Sequence, residues 1–265
     1  MSDFTINFDL EKFKQLDEFA FLVDQEYNLG NRGDWLMNFR GGLYGFYSRL
    51  HGIKAHYEIA HTWLPTVRSP TETEYHLASI LFNMDSAVEC LTYALNALGY
   101  AVATNSFRDV SDAKELKKIN PKDIIGDNSA NPPRPSLAGY VKFFPKLASL
   151  WQSKSTMLNH IFELHDVSKH RQTICVGGRL RSDPPPGFYE SLGILNNPTR
   201  IFFAPNAEII LQKDPKIPWV KKIPEPAEGQ VLLEEMAAEF VVFIHDTGDI
   251  VIDEAKANIV IPMLP

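Results

Sequence analysis

The chain has 265 residues, 45% of them hydrophobic and 22% charged, with a formal net charge of −7. That length can bury one sizeable core, or one core and a smaller satellite, and the composition excludes disordered, fibrous and disulfide-rich classes. The acidic balance argues against a protein that holds long duplex DNA over a broad basic face, while leaving room for one local basic patch.

The opening MSDFTINFDLEKF has no basic segment followed by an apolar run, so it does not read as a secretory signal. Residues 9–27 carry Leu10, Phe13, Leu16, Phe19 and Leu22 at helical spacing and predict a first helix. Asp34 can cap a second, which runs through Trp35, Phe39, Leu43, Phe46, Tyr47 and Leu50 to Trp63 and stops at Pro65. Gly41, Gly42 and Gly45 each cost such a helix up to ~1 kcal/mol relative to Ala. Either the helix breaks there, or another helix packs closely against the glycines.

The third helix is marked most clearly. Ser69-Pro70-Thr71-Glu72 combines a capping box with proline at the first helical position. Leu77, Ile80, Leu81, Met84, Val88, Leu91, Leu95 and Leu98 then keep a helical period, and Gly99 supplies a stop. Residues 112–119 predict a short helix, and 123–135 a loop rich in Gly, Asn and Pro. A fourth long helix starts near Pro145, carries Leu147, Leu150, Trp151, Met157, Leu158, Ile161 and Leu164, and ends close to Thr173.

Beyond residue 173 the texture changes. Residues 174–178 are β-like, 183–187 form a rigid connector, and 200–211 have strand composition around Pro205. Prolines break up the chain to 228, and residues 230–244 are helical in pattern. The segment after Asp246-Thr247-Gly248 fits either a continued helix or a hairpin strand. The fold expected is mainly α: a helical bundle over 1–173, with a proline-rich, irregular α/β extension over 174–265 packed on it. Cys90 and Cys175 lie in apolar company and read as reduced, buried thiols. The apolar stretch 231–244 is interrupted by Glu234, Glu235 and Glu239, so no membrane span is expected and the location predicted is cytoplasmic.

The densest polar cluster is Glu163-Leu164-His165-Asp166-Val167-Ser168-Lys169-His170-Arg171. On a helix Asp166 and His170 share a face, as do His165 and Lys169. Asp166 could orient His170 for proton transfer, with Lys169 and Arg171 holding an anion. Lys, His and Arg also suit the last turn of any helix, because its dipole is negative there. His165 lies on the stripe of Ile161 and Leu164, as a hydrogen-bonded core histidine would.

Over roughly residues 35–173 the chain resembles HEPN proteins, helical bundles associated with nucleotides and RNA. Their last long helix carries an Arg, a polar residue next to it, and a His a few positions on. Asp166 and His170 match the polar residue and the His, while His165 stands where the Arg would fall. The resemblance implies nucleotide or RNA binding and a homodimer with its motif at the interface, and, with the Arg of the family's metal-independent cleavage missing, no more than residual nuclease activity. The string Leu164-His165-Asp166-Val167-Ser168-Lys169 also looks like that of HD-domain phosphohydrolases, which implies His165 and Asp166 as metal ligands. Such a site needs a further His, and His56, His61 or His76 could come near in space.

Other features invite chemistry less directly. Glu58 and His61 form one Glu-x-x-His unit of the di-iron type, with Asp85 and Glu89 as further carboxylates, although a four-spaced acidic pair reads more simply as an exposed face. Gly177-Gly178-Arg179-Leu180-Arg181 lacks the ending of a phosphate loop and reads as a turn bringing Arg179 and Arg181 toward His170. Trp35, Phe39, Tyr44, Phe46 and Tyr47 could stack bases, or simply form core. Three functional readings are open. The first is a protein engaging a nucleotide or RNA phosphate near residues 165–181, with Lys169, Arg171, Arg179 and Arg181 as binding residues, no cofactor, and residual nuclease activity through His170. The second is a metal-dependent phosphohydrolase, and the third a non-catalytic structural or oligomerisation module.

Overall fold

The computed structural model describes residues 5–27, 34–62, 70–125, 135–170, 175–180, 207–212 and 230–259. The protein is a mainly α-helical bundle with a C-terminal extension that, among the described residues, carries three short strands and a long helix. In chain order the elements are α1 (Glu11–Tyr27), α2 (Trp35–Thr62), α3 (Pro70–Val102), α4 (Ala113–Leu116), α5 (Lys122–Ile125), α6 (Pro135–Phe143), α7 (Pro145–Ser153), α8 (Ser155–His170), β1 (Cys175–Leu180), β2 (Ala207–Gln212), β3 (Gln230–Leu232) and α9 (Leu233–Asn258). Two compact units draw on distant stretches of the chain, one on 1–7, 51–85 and 159–240, the other on 8–50, 86–158 and 241–265.

In the second of these units, Phe13, Phe39, Leu43, Phe46, Leu91, Leu95, Tyr140, Trp151, Phe243 and Ile252 are among the buried side chains. Helix α2 passes through its glycines unbroken, because α3 comes too close for side chains. A Cβ on Gly42 would sit 2.8 Å from both the Ala94 nitrogen and the Cys90 carbonyl oxygen, and one on Gly45 would sit 3.0 Å from Cys90 Sγ. Helix α3 likewise runs past the stop expected at Gly99, to Val102. Gly99 does not terminate the helix but admits the Phe107 ring, whose Cζ lies 2.4 Å from where a Cβ would stand.

The fourth long helix expected over 145–173 is in fact two helices. The chain turns at Lys154, whose backbone N–H is shared between the Leu150 and Trp151 carbonyls at 3.1 and 3.2 Å. Pro145 opens α7, and the buried Glu254 carboxylate accepts from the Lys146 and Leu147 N–H groups at 2.8 and 3.0 Å. A helix start leaves such donors without intrahelical partners, so a carboxylate there answers both the hydrogen bonds and the dipole. Helix α9 continues through Asp246-Thr247-Gly248 to Asn258, which decides for the helix over the hairpin. Thr247 is buried and accepts from Trp151 Nε1 at 3.1 Å.

In the other unit, β1, β2 and β3 form an antiparallel sheet in that order. Where the chain leaves β3 and turns helical, both Glu234 oxygens accept from the Ile209 N–H at 3.0 and 2.9 Å. A side chain thereby continues the ladder that β3 no longer supplies. Gly177, Gly178 and Arg179 lie in β1, with an irregularity between Cys175 and Gly177, so they form strand rather than the turn expected. Leu77, Ile80, Leu81, Met84, Ile161, Leu164, Ile210, Leu232 and Met236 are buried in this unit. Gly52 of α2 faces Asn83 of α3, whose Oδ1 stands 2.7 Å from a would-be Cβ.

Beside that contact, His56 Nδ1 of α2 and His76 Nδ1 of α3 lie 3.0 Å apart. Burial lowers the His56 pKa below its ordinary value of 6.5. The unfolded chain therefore takes up this proton first, and the stability it contributes is complete above pH 6.5 and is lost as pH falls toward and through the folded value. Urea midpoints of the wild-type protein are expected to drop between pH 7.5 and 5, by less in His56→Gln. An identical drop in both would mean that His56 carries none of the linkage.

Candidate functional site

The cluster expected at 165–171 lies on the last turns of α8, but its members do not converge. His165 is turned inward, where its Nδ1 meets Asp85 Oδ2 of α3 at 2.5 Å. The two side chains are 14% and 18% exposed, so the contact is sheltered yet open to solvent at its edge. An ionised carboxylate would offer only acceptors, so in that state the Nδ1–H donates to it and Nε2 is the nitrogen turned away from the contact. The Phe82 ring stands edge-on to His165 at a centroid distance of 5.6 Å, and Ser168 Oγ donates to the His165 carbonyl at 2.9 Å.

Asp166, Lys169 and His170 are exposed. Lys169 follows His165 by one turn on the same face, while Asp166 and His170 share the neighbouring face. The backbone of Arg179 pairs opposite Glu208 in the sheet. Arg171 and Arg181 lie outside the described residues.

Asp85 is the residue that sequence reasoning misplaced. It is not part of an exposed acidic face with Glu89; Glu89 is exposed, while Asp85 is drawn into the contact with His165. A signal was present. Asp85 sits among Leu81, Met84 and Val88, the core stripe of α3, as His165 sits among Ile161, Leu164 and Ser168 on α8. One charge-capable residue on the buried stripe of each of two long helices is a pattern that calls for pairing.

No protein-family model, curated protein or solved structure matched the chain.

The metal readings find no donor set among the described residues, where no three His, Cys, Asp or Glu side chains converge as ligands. His165 faces Asp85 while Asp166 faces solvent, and His56 and His76 meet each other rather than His165. Glu58 is exposed and within 3.9 Å of Lys54, and the side chain of His61 lies outside those described. Of the aromatic cluster on α2, Trp35, Phe39 and Phe46 are buried, Tyr47 is half-buried, and Tyr44 is 56% exposed, so most of it is core. Among the described residues no helix is long and apolar enough to cross a membrane.

Proposed function

We propose that the protein engages a nucleotide or RNA phosphate at the end of α8, with Lys169 holding the phosphate and His165 transferring a proton under the direction of Asp85. The observation that carries this reading is the 2.5 Å contact between His165 Nδ1 and Asp85 Oδ2. A carboxylate that fixes one ring nitrogen sets the tautomer, orients the ring and stabilises the imidazolium that forms when the other nitrogen accepts a proton. Lys169 lies one turn along the same face and is exposed, a suitable point charge for a phosphate oxygen. The resemblance to HEPN bundles supplies the ligand class, with His165 at the position of the family's Arg.

On an RNA strand His165 Nε2 would take the proton of a 2′-hydroxyl as its oxygen attacks the adjacent phosphorus. The P–O5′ bond then breaks, the 5′-oxygen leaves as a hydroxyl with a proton taken from water, and a 2′,3′-cyclic phosphate remains. His170, exposed on the neighbouring face, is the second imidazole of this helix end. Binding is tested by fluorescence anisotropy with a labelled single-stranded RNA across a salt series. Affinity is expected to fall with salt, and Lys169→Glu to weaken it about tenfold and flatten the salt slope by roughly 0.7, one phosphate contact on a single strand. Affinity indifferent to both salt and the charge reversal rejects the proposal.

A second reading rests on a specific observation: the pair is largely sheltered, with Phe82 packed edge-on against the imidazole. In that reading the contact is a structural tie between α3 and α8. Substituting His165 would then change stability and nothing else.

A further inference from the structure

On α3, the face that borders the contact between Asp85 and His165 holds two aromatic rings in solvent. Tyr75 is 62% exposed and Phe82 39%. They stand seven residues apart, so they share a face, with about 10.5 Å between them along the helix axis. Between them that face carries Ala78 and Ser79, both small. The Ser79 hydroxyl is turned back on the helix, donating to the Tyr75 carbonyl at 2.7 Å. The apolar stripe of the same segment, Leu77, Ile80, Leu81 and Met84, is buried, and the two rings lie outside it.

Both rings are held in place. Phe82 packs against the His165 imidazole at a centroid distance of 5.6 Å and an interplanar angle of 65°. Tyr75 stands edge-on to His56 and His76, at 5.9 and 5.2 Å. A ring already oriented by its neighbours loses little freedom when a flat partner stacks on it.

The charges nearby call for such a partner. At the end of α8 the exposed Lys169 stands among the exposed carboxylates of Glu163 and Asp166, on a chain of net charge −7. One phosphate contact in that setting gives a strand little affinity and a salt slope of only about 0.7. A strand retained here needs a contribution that does not depend on charge, and base–aromatic stacking supplies one. Phe82 is beside His165, where a nucleotide presenting its 2′-hydroxyl to that imidazole carries its base. Tyr75, two turns away, is spaced for a second base of the same strand.

We propose that Phe82 and Tyr75 form a stacking platform for two bases of a single-stranded RNA whose phosphate lies at Lys169, which makes the site selective for unpaired RNA. The inference rests on the phosphate-binding reading of the α8 end and adds to it the part that engages bases. A duplex keeps its base faces within its own stack and cannot use the platform.

The test is fluorescence anisotropy with a labelled 2′-O-methyl RNA strand, which cannot be cleaved, beside an abasic strand of the same length. Wild type should prefer the strand with bases by at least about fivefold, and Phe82→Leu and Tyr75→Leu should each lose at least about fivefold on that strand and little on the abasic one. Lys169→Glu should weaken both strands alike. Should the variants fold poorly, a 2-aminopurine placed between uridines should lose fluorescence on binding the wild-type protein, as a stacked base does. Equal affinity for the two strands with both still weakened by Lys169→Glu, or unchanged 2-aminopurine emission, overturns the platform and leaves the phosphate reading standing. No binding of either strand overturns both. A dimer that Phe82→Leu dissociates without changing RNA affinity overturns the platform in favour of a second copy of the chain on this face.

Discussion

Gly99→Ala is expected to destabilise the protein by about 2–3 kcal/mol, whereas Gly41→Ala stabilises it by about 0.5–1 kcal/mol. Both exchanges sit inside helices and bring the same gain in helix propensity. What differs is the space. A Cβ at Gly41 meets nothing within 4 Å, while one at Gly99 would stand 2.4–2.5 Å from three carbons of the Phe107 ring. That ring has nowhere to go, because Tyr140, Phe143 and Phe144 surround it at centroid distances of 5.4, 5.9 and 6.4 Å. Gly139 crowds the same end of the ring, with a would-be Cβ 3.1 Å from Phe107 Cε2 and Cζ. Overpacking a core of aromatic rings costs more than the helix gains. Urea denaturation of the two variants checks the opposite signs, and Phe107→Leu placed on Gly99→Ala should restore part of the loss. Shifts of the same sign at both glycines would refute the packing role of Gly99.

These glycines also mark the limit of what the sequence shows. The stripe on α3 and the proline that opens it are local signals, and the helix stands where they place it. Gly99 and the run Asp246-Thr247-Gly248 look like breaks because helix propensity is a local quantity. The reason each is tolerated is a partner far along the chain. Gly248 admits the Phe13 ring, whose Cε2 lies 3.0 Å from a would-be Cβ, and Thr247 accepts from Trp151. Gly42 and Gly45 are the same case, and there the sequence at least poses the alternative of a close helix.

The site divides in the same way. His165 and Lys169 share a face by helical spacing alone, so that half is legible. The half that selects His165 over His170 is Asp85, eighty residues away, and only the packing of α3 against α8 brings it in. Arg171 and Arg181 lie outside the described residues, so the basic patch read from the sequence rests here on Lys169 and His170.

Loss of the carboxylate should be the most damaging functional change. In Asp85→Asn the amide no longer stabilises an imidazolium and can leave the ring in the wrong tautomer, with the proton on the nitrogen that must accept one. Well-placed general bases contribute about 10²–10⁴-fold to rate. Asp85→Asn and His165→Gln are therefore each expected to lower RNA cleavage by at least about 100-fold. Affinity for RNA should stay near wild type, since neither residue is assigned to phosphate binding, and Asp85→Glu should recover part of the rate. A structural tie would behave differently, with melting temperature moving and the rate of the folded fraction staying put.

The decisive measurement is the single-turnover rate of cleavage of a single-stranded RNA in EDTA, by wild type and by Asp85→Asn, both held well below their melting temperatures. Cleavage by wild type to a 2′,3′-cyclic phosphate, falling at least about 100-fold in the variant, is the result expected of a proton-transferring His165. Intact RNA with wild type, or equal rates for the two proteins, would contradict that role.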